Sequence, residues 1–398
     1  MTKRYEKLFE FGLLFILFCF SISLFNLTGY IFVVMIGAMF VLYSAKIRIS
    51  ITDLFLFLFS FFYFFIYWMH YGFQINALIL YLIGPWSARI FGKLYIEQSK
   101  NPNSLIKLMV VLSSGMFIHG ILNIVAYLRS DYYLLYSYYR QTVDFWRGEL
   151  VNVKTTEMLF VFATGIALGV LFSSCKKQYK YMSIFVVMLS VIVSIFLANR
   201  ALLIMVAFVF IWRCYCWFSD VRISSTKKAI YLLFACMILS TLFFAISLNI
   251  AGLGDYIKEL KIVQRFTSGL ELTRFDVWEL FFKDFKFIEY PFGGKILTKN
   301  SQWSYLHNMW LDVYNVVGII PFMILIILTI IFIITFVRSN RIIKITDKNL
   351  SVVLQSFLLC VVLNMMIEPI IEANPYYLIM LLMILGAMEE YARKSVKL

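Results

Sequence analysis

The chain has 398 residues, of which 62% are hydrophobic, 19% aromatic and only 15% charged, with a mean hydropathy of +0.85. A soluble domain averages about 45–50% apolar and about 25% charged residues, so a soluble enzyme, a disulfide scaffold, a disordered regulator and a coiled coil are all excluded. The formal charge of +14 would suggest nucleic acid in a soluble chain, and here it is weighed first against membrane topology.

A membrane-spanning helix needs about 20 consecutive apolar residues. In chain order, runs of spanning length occupy 8–27, 30–45, 51–69, 75–94, 105–127, 157–174, 181–197, 201–218, 229–249, 308–337, 350–370 and 375–390. The expected fold is all-α: a polytopic integral membrane protein of about twelve transmembrane helices, forming a single domain over 1–398. The first run exceeds a signal-peptide core, lacks a small-x-small cleavage site and leads straight into a second span, which predicts a retained helix. On this topology 23 of the 36 Lys and Arg residues fall on the N-terminal side of the membrane, whereas 14 of the 22 acidic residues fall on the other. The positive-inside bias then predicts that both termini are cytoplasmic. The charge is thus topological, and no nucleic-acid partner is expected. Two long connections, 128–156 and 250–306, are expected to face outward, the larger one between the ninth and tenth spans. Cys19, Cys175, Cys214, Cys216, Cys236 and Cys360 lie in or beside apolar runs without a CxxC pair, so no metal site, cofactor or redox chemistry is expected.

The smaller loop is dense in rings: Tyr132, Tyr133, Tyr136, Tyr138, Tyr139, Phe145 and Trp146. Such rings either stack on sugars or form an aromatic belt at the headgroups, and the belt is the simpler reading. His70 and His119 read as packed or interfacial histidines. His307 differs, because it stands where the large loop re-enters the membrane, and its side chain suits proton transfer at neutral pH.

Arg200 is the only basic residue in a short outer connection, with no carboxylate nearby in sequence. Arg274 lies in a stretch, Glu271–Lys286, of helical period. On a wheel of about 100° per residue, Phe275, Trp278, Phe281, Phe282 and Phe285 share one arc with Arg274 in its middle. A guanidinium there requires an anion or must snorkel, so an interfacial helix holding a ligand anion is expected. Arg265 lies in the same loop. Arginine binds phosphate bidentately and histidine deprotonates a hydroxyl, which together suit transfer from a lipid-diphosphate donor to a hydroxyl acceptor. No Asp-x-Asp, P-loop or acidic cluster marks the outer connections, which predicts a metal-independent reaction.

At these residues the sequence resembles the O-antigen ligase and polymerase superfamily of bacterial envelope proteins. His307-Asn308, nine residues, then Gly318 is similar to its His-[Asn/Ser/Gln]-x9-Gly-x-x-[Gly/Thr/Tyr] signature, with Pro321 departing at the last position. Asn199-Arg200-Ala201-Leu202-Leu203 resembles its Ser/Thr-Arg-[Ala/Gly]-x-Leu segment. Arg274-x3-Trp278 followed by Pro291-Phe292-Gly293-Gly294 resembles its Arg-x3-Trp/Tyr…Pro-x-Gly-x-Gly stretch, with Lys295 at the last glycine. The likeness covers about 155–330. It implies a metal-independent glycosyltransferase of the lipid-donor, GT-C-like type in the bacterial inner membrane, with its active site on the periplasmic face. His307 would be the general base, and Arg200 and Arg274 would bind the undecaprenyl diphosphate. Asn308 and Trp278 are expected substrate contacts, as is Arg265, which has no counterpart in the resembled pattern and is chosen for its place in the same loop. The departure at Pro321 and the modest large loop favour a polysaccharide repeat-unit polymerase of O-antigen or capsule over a ligase acting on lipid A-core. A transporter or flippase is a third reading. Expected partners are lipid-linked oligosaccharide donor and acceptor, the bilayer and a chain-length regulator protein.

Overall fold

The computed structural model describes residues 3–43, 48–99, 101–132, 141–219, 253–267, 291–299 and 305–397, together with Thr226, Leu233, Met237, Leu248, Trp278, Glu279, Phe281 and Phe282. The regular secondary structure of the described residues is helical except for one small hairpin. Among the described residues, eight helices are long and apolar enough to cross a membrane: Ile51–Tyr71, Ile75–Gln98, Ser104–Arg129, Val153–Leu171, Lys177–Phe196, Arg200–Phe218, Ile319–Thr346 and Lys348–Ile367. Two shorter apolar helices, within Lys3–Ser21 and Thr28–Tyr43, precede them, and Pro375–Lys397 closes the chain. The expected ninth span, 229–249, falls almost wholly outside the described residues, as does most of the Glu271–Lys286 stretch.

Local sequence explains where the helices begin. Ser50 and Asp53 form a reciprocal capping box at Ile51–Tyr71, while Asn152, Asn199 and Asp347 each accept a backbone N–H at the start of the helix that follows. A side-chain oxygen there satisfies a donor that has no helical acceptor, which matters most where water is scarce. Within Ile75–Gln98 the segment Leu78–Ile83 widens into a π-helical turn, and the Gly84 N–H bonds the Ile79 carbonyl. Pro85 follows at once, and its missing N–H removes the α-helical bond that the Tyr81 carbonyl would otherwise accept.

The interior is built by close helix crossings. Gly84–Gln98 packs along Pro375–Lys397, where a Cβ at Gly92 or Gly386 would run into the facing backbone, and Val153–Leu171 packs along Lys348–Ile367. Small residues of this kind let helix backbones meet in an apolar medium. Lys177–Phe196 and Ile319–Thr346 instead turn many apolar side chains outward, including Phe185, Met188, Ile192, Ile330 and Ile333. Such faces suit lipid.

The expected tenth span, 308–337, is two helices. Met309–Val317 ends at Gly318, and Ile319–Thr346 starts from it. Gly318 has φ 83° and ψ −165°, a region essentially restricted to glycine, and its Cβ position is filled by the Pro291 carbonyl. Gly318→Ala is expected to destabilise the protein by about 1–3 kcal/mol from the backbone alone. Thermal unfolding in detergent checks this, and a melting temperature matching that of the unsubstituted chain would contradict it.

The outer loop expected at 128–156 contains a two-stranded antiparallel hairpin, Gln141–Val143 with Leu150–Asn152. The Trp146 indole N–H donates to the Ile22 carbonyl at 2.8 Å, and Arg147 donates twice to Asn26. The hairpin is thereby fastened to the turn between the first two helices. His119 lies 3.5 Å from the Asp144 carboxylate, a packed histidine as expected.

Candidate functional site

His307 sits in the turn that precedes Met309–Val317, with φ 54°. A left-handed backbone at a residue other than glycine persists only where its surroundings hold it. Here the holding group is Asp312. Its carboxylate accepts the Leu306 N–H at 2.7 Å and the Asn308 N–H at 3.0 Å, one on each side of the histidine. Burial raises the Asp312 carboxyl to about 7, even though those two bonds pull it down. The Trp278 indole donates to the Leu306 carbonyl at 2.9 Å. The Asn308 side chain caps the helix by accepting from Trp310 and Leu311, and its amide donates to the Met366 carbonyl. Asn308 and Trp278, expected to contact substrate, thus spend these polar groups on fixing the loop.

The imidazole faces two charged groups. The Lys154 ammonium lies 3.0 Å from Nδ1 and 3.4 Å from Nε2. Glu368 lies 3.8 Å from Nδ1 and 3.6 Å from the Lys154 ammonium. The Glu368 side chain is only 1% exposed, against 16% for Lys154 and 15% for His307. Lys154, Glu368 and the ring nitrogen therefore form a triangle in which each group faces the other two. Three chain segments meet here: the start of Val153–Leu171, the turn after Lys348–Ile367 and the loop before Met309–Val317.

Two separate motifs are interlocked. The Gly294 N–H donates to the Val316 carbonyl at 3.0 Å, Lys295 N–H to Asn315 at 2.7 Å, and Ile319 N–H to Pro291 at 2.9 Å. The Pro291–Lys295 stretch therefore lies against the end of the helix that His307 precedes, and Gly293 and Gly318 permit that approach. His70 bonds the Phe292 carbonyl at 2.7 Å. Lys295, in the last glycine position of the resembled pattern, keeps φ 59°.

The other expected residues are less tightly drawn together. Arg200 opens Arg200–Phe218 just after its Asn199 cap, makes interactions of its own, and heads a helix packed on both Val153–Leu171 and Lys348–Ile367. Those are the helices whose ends supply Lys154 and Glu368. Arg265 lies in the helix Lys261–Thr267, its side chain outside the described set, and Arg274 is outside the described residues altogether. Among the described residues, no group of three His, Cys, Asp or Glu could hold a metal ion.

Sequence reasoning missed Lys154, Glu368 and Asp312. Lys154 was one basic residue among several in a loop, and Glu368 an acid near a span end. The legible signal for Asp312 was its spacing, four residues beyond Asn308, in the first turn of a helix. The expected result of Asp312→Asn follows: an amide can accept only one of the two N–H bonds and turns its own N–H₂ toward the other. The loss is about 1–3 kcal/mol of stability, with turnover falling alongside; melting and assay together check it, and an Asn variant with unchanged turnover would remove Asp312 from this role.

The fold and site define a helical protein of membrane type with a histidine–lysine–glutamate cluster at one end of the bundle. No protein-family model matches the chain, and no curated protein sequence matches it.

Proposed function

We propose that the chain is a metal-independent membrane glycosyltransferase that polymerises lipid-diphosphate-linked glycan repeats. The observation that carries this reading is His307 itself, held in a left-handed turn by Asp312, beside Lys154 and Glu368, in the loop that interlocks with Pro291–Lys295. An imidazole fixed at this cost suits general-base work.

In the proposed reaction His307 takes the proton from an acceptor hydroxyl. The hydroxyl oxygen attacks the anomeric carbon of the donor sugar, and the bond to the lipid diphosphate breaks. Arg200 and Arg274 hold the departing diphosphate, as the motif resemblance implies, and Lys154 is a third cation for it. While the Lys154 ammonium donates to Nδ1, that nitrogen cannot receive a proton. A diphosphate competes for the ammonium, and its arrival frees the ring nitrogen. Base activation is thereby coupled to donor binding.

The test uses purified protein and lipid-diphosphate-linked repeat. Longer lipid-linked chains, formed without lipid A-core and in the presence of chelator, are the expected product. Product only when lipid A-core is added would make the chain a ligase, and strict dependence on a divalent metal would overturn the metal-free mechanism.

A further inference from the structure

Beside the His307 cluster lies a second group of polar side chains that the transfer chemistry does not use. Ile51–Tyr71 sorts its aromatic residues by face. Phe57, Phe61, Phe65 and Trp68 point outward, each about 40% exposed or more. Tyr63, Tyr67 and Tyr71, spaced four apart, form a stripe on another side, where Tyr63 is 1% exposed. Tyr81, on the π-helical turn of the next helix, packs against Tyr63 at 4.9 Å and Tyr67 at 5.0 Å between ring centroids, and Tyr67 packs against Tyr71 at 4.6 Å. An aromatic belt places its hydroxyls at the lipid headgroups. This stripe turns them into the protein instead.

One of these hydroxyls ends on a buried carboxylate. Tyr63 donates to Glu372, and the Lys295 ammonium lies 3.9 Å from the same carboxylate and 4.8 Å above the ring of Tyr305. Burial raises the Glu372 carboxyl, while the Tyr63 bond and Lys295 pull it back. Among the described residues, the hydroxyls of Tyr67, Tyr71, Tyr81 and Tyr305 have no hydrogen-bond partner, and that of Tyr71 is itself shielded from solvent. Lys295 retains a left-handed backbone at the cost that a non-glycine residue incurs there. Tyr305 is two residues before His307, and Glu372 is four after Glu368, so the same two segments build both clusters.

We propose that Tyr67, Tyr71, Tyr81, Tyr305, Lys295 and Glu372 form a glycan subsite that holds a sugar ring of the acceptor next to His307. The proposal rests on the glycosyltransferase reading and names its acceptor site. A sugar ring offers apolar C–H faces to aromatic rings, and hydroxyls that both donate and accept. The cluster supplies matching parts: rings, hydroxyls without protein partners, a carboxylate acceptor and an ammonium donor. Lys295 and Glu372 together are close to neutral, which disfavours a phosphate and suits an uncharged polyol. Tyr63 belongs to the support, because its hydroxyl is taken up by Glu372.

The experiment uses the full-length protein in a detergent without a sugar headgroup. The probe is the soluble repeat oligosaccharide, released by mild acid from the lipid-diphosphate pool of the cells that make the protein. Binding is read by saturation-transfer NMR and by inhibition of chain elongation. The unsubstituted protein is expected to bind the probe. Tyr305→Phe and Tyr81→Phe, which keep the rings, should each weaken binding about twofold to tenfold, the worth of one hydrogen bond. Glu372→Gln keeps an acceptor for Tyr63 and should weaken the probe at least as much. In all three the acceptor KM should rise while kcat changes little. Elongation by the unsubstituted protein, with probe binding unaltered in all three variants, would overturn the subsite. No probe binding by a protein that elongates would overturn it too. Probe binding that these variants weaken, in a protein that elongates nothing, would retain the glycan site and remove the polymerase reading.

Discussion

Replacing His307 by Ala is expected to abolish elongation while leaving a folded, membrane-inserted protein. General-base catalysis contributes about 10²–10⁴-fold, so kcat should fall by that factor with donor binding largely kept. Folding should survive because the loop is held by groups other than the imidazole. Asp312 bonds the backbone on either side, Trp278 bonds Leu306, and Asn308 caps the helix. Alanine tolerates φ 54° less well than histidine does, so a modest fall in melting temperature is expected, with the turn itself still held by those bonds. Single-turnover assays on lipid-linked repeat, with melting curves in parallel, make the check. An Ala variant that elongates at the unsubstituted rate would remove His307 as the base, whereas one that fails to fold would show that the imidazole is structural.

The membrane class and most helix positions were legible because apolar length and capping chemistry are local properties. Asn152, Asn199 and Asp347 mark helix starts by residue type alone. The break at Gly318 was not, because hydropathy stays high across it. What interrupts the helix is the Pro291 carbonyl arriving from another segment. His307 stood out by its place at a membrane re-entry. Lys154 and Glu368, its neighbours in space, lie 153 residues before it and 61 after it, and no periodicity links positions so far apart. The tyrosine-rich loop drew attention by density, yet Trp146 fastens a hairpin. The inward stripe at Tyr63, Tyr67 and Tyr71 was hidden among the phenylalanines of its own helix. Only burial separates the two faces.

Removing Lys154 is expected to act in two ways, and pH separates them. In Lys154→Met the diphosphate loses one cation, so the donor KM should rise. The ring also loses the ammonium that lies beside both it and Glu368. With the ammonium gone and the Glu368 carboxylate still 3.8 Å from Nδ1, the imidazolium is favoured. The base works only when neutral, so a raised titration moves the acid limb of the rate profile to higher pH. Activity at neutral pH should drop and then recover in part as the pH rises. Adding Glu368→Gln to Lys154→Met takes away the carboxylate and should return the limb toward its original position, while leaving the donor KM high. A double variant whose limb stays displaced would show that Glu368 does not act on His307. If Lys154→Met changes neither the donor KM nor the profile, Lys154 is a structural cation that neutralises a buried acid, and the coupling between donor arrival and base release is wrong.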